Sequence, residues 1–211
     1  RCLSSDIVTD EKGVRICNAC LDFGKVTDND YLLRRERDIE KKEHRLEIMF
    51  ELTKSQKKGE LLIEKGISES KDVFIHAVCG AGKTEMCLTS IHKSLNQNKV
   101  IGFIIPRIAI IKQVFARFSQ YLPKTTISCL YQGSYLNEKS PFILSTPQQL
   151  IHFFEEFDIV FIDEWDAFPL AENGFLHQLI HKSLKPGGVK VMISATLTKK
   201  QKNAVLDKKT L

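Results

Sequence analysis

From residue 73 onward, short apolar runs alternate with segments of helical periodicity. The runs at 73–75, 99–105, 127–131, 142–145, 158–162 and 189–193 are rich in Val, Ile and Phe, as strands buried on both faces are. Between them, 84–95 sets Cys87, Leu88, Ile91 and Leu95 on one helical face, and 107–122 does the same with Ile111, Val114, Phe115, Phe118 and Leu122. Segments 148–154 and 172–184 read as further helices. Strands separated by helices predict an α/β domain with a mostly parallel sheet and helices on both faces. Upstream the pattern changes. Residues 30–51 carry Arg34, Arg35, Arg37, Lys41, Lys42 and Arg45 interleaved with Glu36, Asp38, Glu40, Glu43 and Glu47, with Leu32, Leu33, Ile39, Leu46, Met49 and Phe50 interspersed. This mixture predicts a charged helical connector with i, i+4 pairs, preferred over a nucleic-acid contact because the acids cancel most of the field. The predicted organisation is a partial metal-binding ribbon at 1–27, the connector at 28–50 and the α/β domain at 51–211.

Composition changes little. The chain of 211 residues is 43% hydrophobic and 27% charged, ordinary for a soluble protein with one full core and an appendage. Its net charge of +5 is compatible with phosphate-bearing partners but too small to argue nucleic-acid binding without a localised patch. The apolar run 100–105 stops at Pro106, far short of a membrane span, so no direct membrane insertion is expected. The chain begins at Arg1 rather than Met and reads as an excised fragment.

The candidate chemistry lies at the ends of the strands. Ala77-Val78-Cys79-Gly80-Ala81-Gly82-Lys83-Thr84 follows the run 73–75 and opens a helix, as a phosphate-binding loop does. Its backbone N–H groups cradle an anion, the helix N-terminus adds positive potential, and the Lys83 ammonium reaches the outer phosphates. Ala77 stands where the written motif has its first Gly. The strand 158–162 delivers Asp163-Glu164-Trp165-Asp166 to its C-terminal end, where a magnesium–nucleotide site needs carboxylates; the strand 189–193 ends in Ser194-Ala195-Thr196. Ligands of open α/β sheets bind outside the carboxyl ends of the strands, so these strings should meet in one crevice.

Six cysteines fall into two groups. Cys79, Cys87 and Cys129 lie in strand or helix patterns and read as small buried thiols. Cys17-Asn18-Ala19-Cys20 is a two-residue-spaced knuckle with Cys2 upstream, consistent with a structural zinc site that lacks its fourth ligand; unrelated reduced thiols are the alternative.

The order and separation of these motifs resemble the first RecA-like motor domain of superfamily 2 helicases. The strings 77–85, Pro106-Arg107-Ile108 and 163–169, with a cysteine cluster ahead of the motor, look most like the ComFA-type DNA-uptake ATPases of competent bacteria, which are similar in turn to PriA-type primosomal helicases. That resemblance implies ATP and magnesium as ligands. It assigns Cys79, Gly80, Ala81, Gly82, Lys83 and Thr84 to the nucleotide, Thr84 and Asp163 to the metal, and Lys83, Asp163 and Glu164 to catalysis, with Glu164 orienting the attacking water. It casts Gln56 as an adenine-reading amide, Asp166, Ser194 and Thr196 as a coupling set, and Pro106, Arg107, Thr146 and Pro147 as contacts to the backbone of single-stranded DNA. Trp165 takes no catalytic role.

The resemblance further implies a cytoplasmic protein at or near the inner face of the membrane, working with membrane-associated uptake proteins. Superfamily 2 motors close their site with arginine fingers from a second motor domain. The expectation is therefore a DNA-dependent ATPase as a whole, with negligible turnover by this chain alone. The alternative is a nucleotide-gated assembly or adaptor protein that does not move along DNA.

Overall fold

The structure is a computed structural model that describes residues 2–31, 34, 36–78, 80–171 and 173–196. Of the residues singled out above, Leu32, Leu33, Arg35 and Cys79 lie outside these, as does the predicted helix start at Glu172. Strands β1 (Ile7–Thr9) and β2 (Arg15–Cys17) pair as an antiparallel ribbon, followed by a 3-10 turn over Asn18–Phe23. Then come α1 (Lys54–Glu69), β3 (Val73–His76), α2 (Lys83–Asn96), β4 (Ile101–Ile104), α3 (Ile108–Tyr121), β5 (Ile127–Leu130) and β6 (Phe142–Ser145). A second 3-10 turn (Pro147–His152), β7 (Phe157–Ile162), α4 (Gly174–Ser183) and β8 (Leu184–Ser194) complete the order.

Six strands form one sheet in the order β3-β8-β7-β4-β6-β5, every pair parallel. Alternation along each strand decides what each face buries. Val73, Ile75, Phe103, Phe142, Leu144, Phe161 and Val191 point to one face, where they meet Ile63 of α1, Leu88 and Ile91 of α2, and Ile111 and Phe118 of α3. Ile104, Ile143, Val160 and Ile162 point to the other, against Leu150 of the second 3-10 turn, Leu176, Leu179 and Ile180 of α4, and Cys2 and Cys20. The expected sheet with flanking helices is present, and the cysteine-bearing segment is part of its second face. All six strands run the same way, so their C-terminal ends share one rim.

Three sequence expectations change. The described residues between 31 and 53 contain no helix. They form a strap with backbone partners in the α/β domain: His44 N–H donates to Asn96 Oδ1 at 2.8 Å, and Glu47 N–H donates to the Tyr121 carbonyl at 2.8 Å. Side chains follow. Arg37, only 7% exposed, pairs with Glu156 at 2.7 Å, and Phe50 meets Tyr121 edge to face at 5.5 Å. The segment 148–154 is a 3-10 turn because Phe153 already leaves in extended conformation. The last strand begins at Leu184, earlier than the run 189–193 suggests, with an irregular register opposite β7.

Candidate functional site

The phosphate loop spans the rim between β3 and α2. Gly80 and Gly82 take φ of 77° and 69°, left-handed angles that glycine adopts without penalty. Ala77 N–H donates to the Ser194 carbonyl at 2.9 Å, so the residue replacing the motif's first Gly is tied into the sheet next to β8. Thr84 is buried in the first turn of α2, whose leading N–H groups face the loop. Gln56, which the resemblance assigns to adenine, makes two contacts within the protein. Its Oε1 accepts from Thr53 N–H at 2.8 Å, completing a capping box for α1, and its Nε2 donates to the Ala81 carbonyl at 2.8 Å. One donor and one acceptor position of the amide remain for a base. A Cβ at residue 82 would collide with that amide nitrogen and lie 3.3 Å from Glu85 Oε2. Gln56, Gly59, Leu62, Phe74, His76 and Met86 line an adjoining cleft of about 640 Å³.

Beside the loop, β7 brings up the acids. Asp163 N–H extends the ladder by donating to the Ile104 carbonyl at 2.9 Å. Burial raises the Asp163 carboxyl above its ordinary range; the Lys83 charge and a 2.9 Å hydrogen bond from Glu164 N–H work against this, while Glu164 and Asp166 add to it. Lys83 and Asp163, eighty positions apart, thus act on each other across the rim. Glu164 has a left-handed backbone, φ 52°, and its buried Oε2 makes no hydrogen bond. That oxygen lies 3.4 Å from Arg107 Nε.

The third string closes onto the second. Thr196 Oγ1 donates to Asp166 Oδ2 at 2.6 Å and Thr196 N–H donates to the same oxygen at 3.1 Å. Burial opposes ionisation of Asp166, but these bonds, with those from Ser194 and the Ala195 N–H, hold its carboxyl below the usual range. His76 Nε2 lies 3.0 Å from the Ala195 carbonyl, a link between β3 and β8 that no motif announced. Trp165 N–H donates to the Ile193 carbonyl at 3.0 Å, and its ring stacks on His177 at 4.6 Å with the planes 11° apart.

Pro106, Arg107, Thr146 and Pro147 come together because β4 and β6 are neighbours, with Ile104 opposite Ser145. Arg107 and Thr146 occupy the N-cap positions of α3 and of the second 3-10 turn, yet neither side chain caps. Pro106, Ile108, Gln132, Thr146, Gln148 and Gln149 line a cleft of about 570 Å³ there. Gln132 belongs to no recognisable string, and the sequence carries no signal for it.

At the sheet's second face the Sγ atoms of Cys2, Cys17 and Cys20 lie within 4.8 Å of one another, Cys2 and Cys17 at 3.5 Å. Zinc–sulfur bonds of about 2.3 Å place ligand sulfurs at comparable separations. Burial and the two neighbouring thiols push Cys20 up to about 12, the behaviour of a thiol cluster that a central cation would relieve. Three converging thiols therefore fit a zinc site. Thr84 and Asp163 likewise offer the hard oxygen donors that suit magnesium.

Comparison with known proteins bears on the family and the fold. The chain is 32% identical over 196 residues to the competence protein ComFA of Bacillus subtilis, covering 90% of this chain and 42% of that protein. It is 29% identical over 197 residues to ComFA of Streptococcus pneumoniae, covering 93% and 44% respectively. The chain thus spans less than half the length of these relatives. In fold it is similar to the UvsW helicase of bacteriophage T4, with a TM-score of 0.58, 19% identity, and coverage of 75% of this chain and 57% of that one. Residues 56–204 match the DEAD/DEAH box helicase family, which takes in the phosphate loop, the acidic strand tip and the Ser194–Thr196 string. The resemblance to ComFA-type helicases holds over nine-tenths of the sequence, and the chain belongs to the DEAD/DEAH box helicase family.

Proposed function

We propose that the chain is the ATP-binding half of a motor that moves along single-stranded DNA during DNA uptake. The observation that carries this reading is the shared rim, where Lys83 acts on Asp163, Arg107 meets Glu164, and Asp166 holds Thr196. Lys83 and the leading amides of α2 bind the outer phosphates, and Thr84 and Asp163 hold magnesium. Bound there, magnesium neutralises charge on the β- and γ-phosphates. Glu164 orients the attacking water and accepts its proton, a role suited to a carboxylate oxygen that makes no hydrogen bond and has only the Arg107 guanidinium opposite it. Gln56 joins nucleotide to loop by its bond to Ala81. The Asp166–Thr196 bond passes the nucleotide state to the loops that grip the strand, where Pro106, Arg107, Thr146 and Pro147 present phosphate donors that read no sequence.

The Arg107–Glu164 pair supplies a reason for strand dependence. A guanidinium drawn to a phosphodiester releases the carboxylate that hydrolysis needs. Cys2, Cys17 and Cys20 hold a structural zinc. Related motors complete the site with arginines from a second domain, worth roughly 10³–10⁵ in rate, so this chain alone turns over ATP negligibly. Uptake proteins at the inner face of the membrane are the partners this role implies.

The test compares phosphate release by the protein carrying both motor domains, with and without single-stranded DNA. Stimulation by the strand, abolished by Lys83→Ala, is expected. Turnover that ignores the strand sinks the motor reading and leaves a nucleotide-gated assembly protein.

A further inference from the structure

The polar cleft beside Arg107 has an eighth of its described lining from an unexpected source: the ring of Phe23, at the end of the turn that carries Cys20. Phe23 is more than eighty positions from every other residue there. Its ring stacks on Phe175 of α4 at 5.7 Å, with the planes 28° apart, and the residue is half-buried. Phe23 lines the cleft together with Thr146, Gln148, Gln149 and His152. None of the described lining residues is acidic, and Arg107, exposed at 64% of its side chain, stands between the lining residues Pro106 and Ile108. The wall contributed by the rim thus offers hydroxyl and amide donors, with the Arg107 guanidinium close by; the wall contributed by the cysteine-bearing turn offers an aromatic ring packed on Phe175.

That pairing is what a single strand requires. Its backbone is held by donors that do not discriminate among sequences, and its bases, unstacked from a partner strand, find an aromatic face. A duplex would keep its bases stacked and present phosphates and base edges but no free base face. We propose that Phe23 is a base-stacking platform of the strand groove, so that the cysteine-bearing segment forms one wall of the nucleic-acid site instead of a separate appendage. This inference rests on the strand-binding reading above and adds the residue that distinguishes bases from backbone. Packing of Cys2 and Cys20 into the sheet's second face, with Phe23 against the same cluster, explains how so short a segment holds a ring in place.

The experiment measures binding of this chain to a fluorescent oligo-dT of about a dozen nucleotides and to an abasic strand of the same length. Phe23→Ala is expected to weaken oligo-dT binding about tenfold, by the usual contribution of one stacked base, and to leave the abasic strand unaffected. Phe23→Tyr keeps the ring and should retain the wild-type affinity for both. Phe175→Leu tests the support: it should lower oligo-dT affinity in part, again without touching the abasic strand. Equal weakening for both strands by Phe23→Ala would mark a merely structural residue and overturn the inference. So would unchanged binding of oligo-dT by Phe23→Ala while Arg107→Ala weakens it. If the wild-type chain binds neither strand, the strand-binding reading itself falls, an outcome separate from insensitivity to Phe23.

Discussion

The two edges of the sheet treat their charges in opposite ways. Along the edge where the strands begin, Asp158 and Asp72 each have both a cation and a backbone donor. Asp158 accepts from Val100 N–H at 2.7 Å and from Lys185 Nζ at 2.8 Å; Asp72 accepts from Lys190 N–H at 2.9 Å and pairs with its ammonium at 2.9 Å. The strap behaves alike, with Arg37 donating to Glu156 and to the Ser140 carbonyl at 2.9 Å. At the edge where the strands end, burial holds Asp163 back from ionising despite the Lys83 charge and the Glu164 N–H, and Glu164 Oε2 is buried without a hydrogen bond, 3.4 Å from Arg107 Nε. Asp166 there is satisfied by Thr196. The contrast therefore rests on Asp163 and Glu164, the two acids to which the proposed function gives a ligand.

The largest effect expected from this contrast is on chemistry alone. In the protein with both motor domains, Glu164→Gln should lower strand-stimulated phosphate release by at least about 100-fold, the contribution of a general base. Nucleotide affinity and the melting temperature should stay put. A fall in melting temperature of several degrees would make Glu164 a structural acid and erase the distinction between the edges.

Arg37→Ala probes the other edge and should do the reverse. Removing one partner of a mostly buried pair leaves Glu156 uncompensated, at about 2–4 kcal/mol given that Glu156 is 20% exposed. The melting temperature should fall by roughly 5–10 °C for a chain of this size. Nucleotide binding measured well below the melt should not change. Replacing both partners with apolar residues should recover much of the loss, since the cost lies in the stranded charge.

These two positions also show what was legible in the sequence. The meeting of Asp163, Glu164 and the loop through Thr84 at one rim could be read because each string follows an apolar strand run and the parallel topology makes the strand ends coincide. Arg37 could not. Its neighbours suggested a solvated helix, since a dense alternation of signs reads the same whether the charges pair locally or with a distant loop. Only the position of Glu156, 119 residues away, separates the cases. Phe23 and Gln132 were hidden for the same reason: they reach their cleft through tertiary placement. One overlooked cue was local. Thr53 and Gln56 have the spacing of a capping box, which announces the start of α1 without any contact from afar.

A smaller change, of unusual sign, is expected at Asp163. Its carboxyl titrates above the ordinary range when folded, so the stability it permits is fully present below the unfolded value of about 3.9 and is lost as pH rises through the folded value. At neutral pH the metal-free chain therefore carries an ionised acid that burial disfavours. Asp163→Asn should raise the melting temperature of the metal-free chain by a few degrees at pH 7 and bring no gain at pH 3. The same variant should lose the stabilisation that magnesium–ATP gives the wild type. A lowered melting temperature at pH 7 would show that Lys83 already compensates the charge in full.

The smallest thermal effect should come from Arg107→Ala, and there the contrast between edges is sharpest. The pair it forms with Glu164 is 3.4 Å long and its guanidinium is largely in water, so its loss should change stability by less than about 1 kcal/mol. Arg37 and Arg107 are both arginines facing a glutamate, one just before β7 begins and one just after it ends. If pairing alone decided their value, the two alanine variants would differ only in degree. If Arg107 instead trades its carboxylate for a phosphodiester, its alanine variant should melt within about 2 °C of the wild type and lose most strand stimulation. Strand-free turnover should rise, because Glu164 is no longer held. Phosphate release with and without oligo-dT, set beside the melting curve, separates these outcomes. Reduced turnover in the absence of the strand would mean that Arg107 supports Glu164 rather than restraining it.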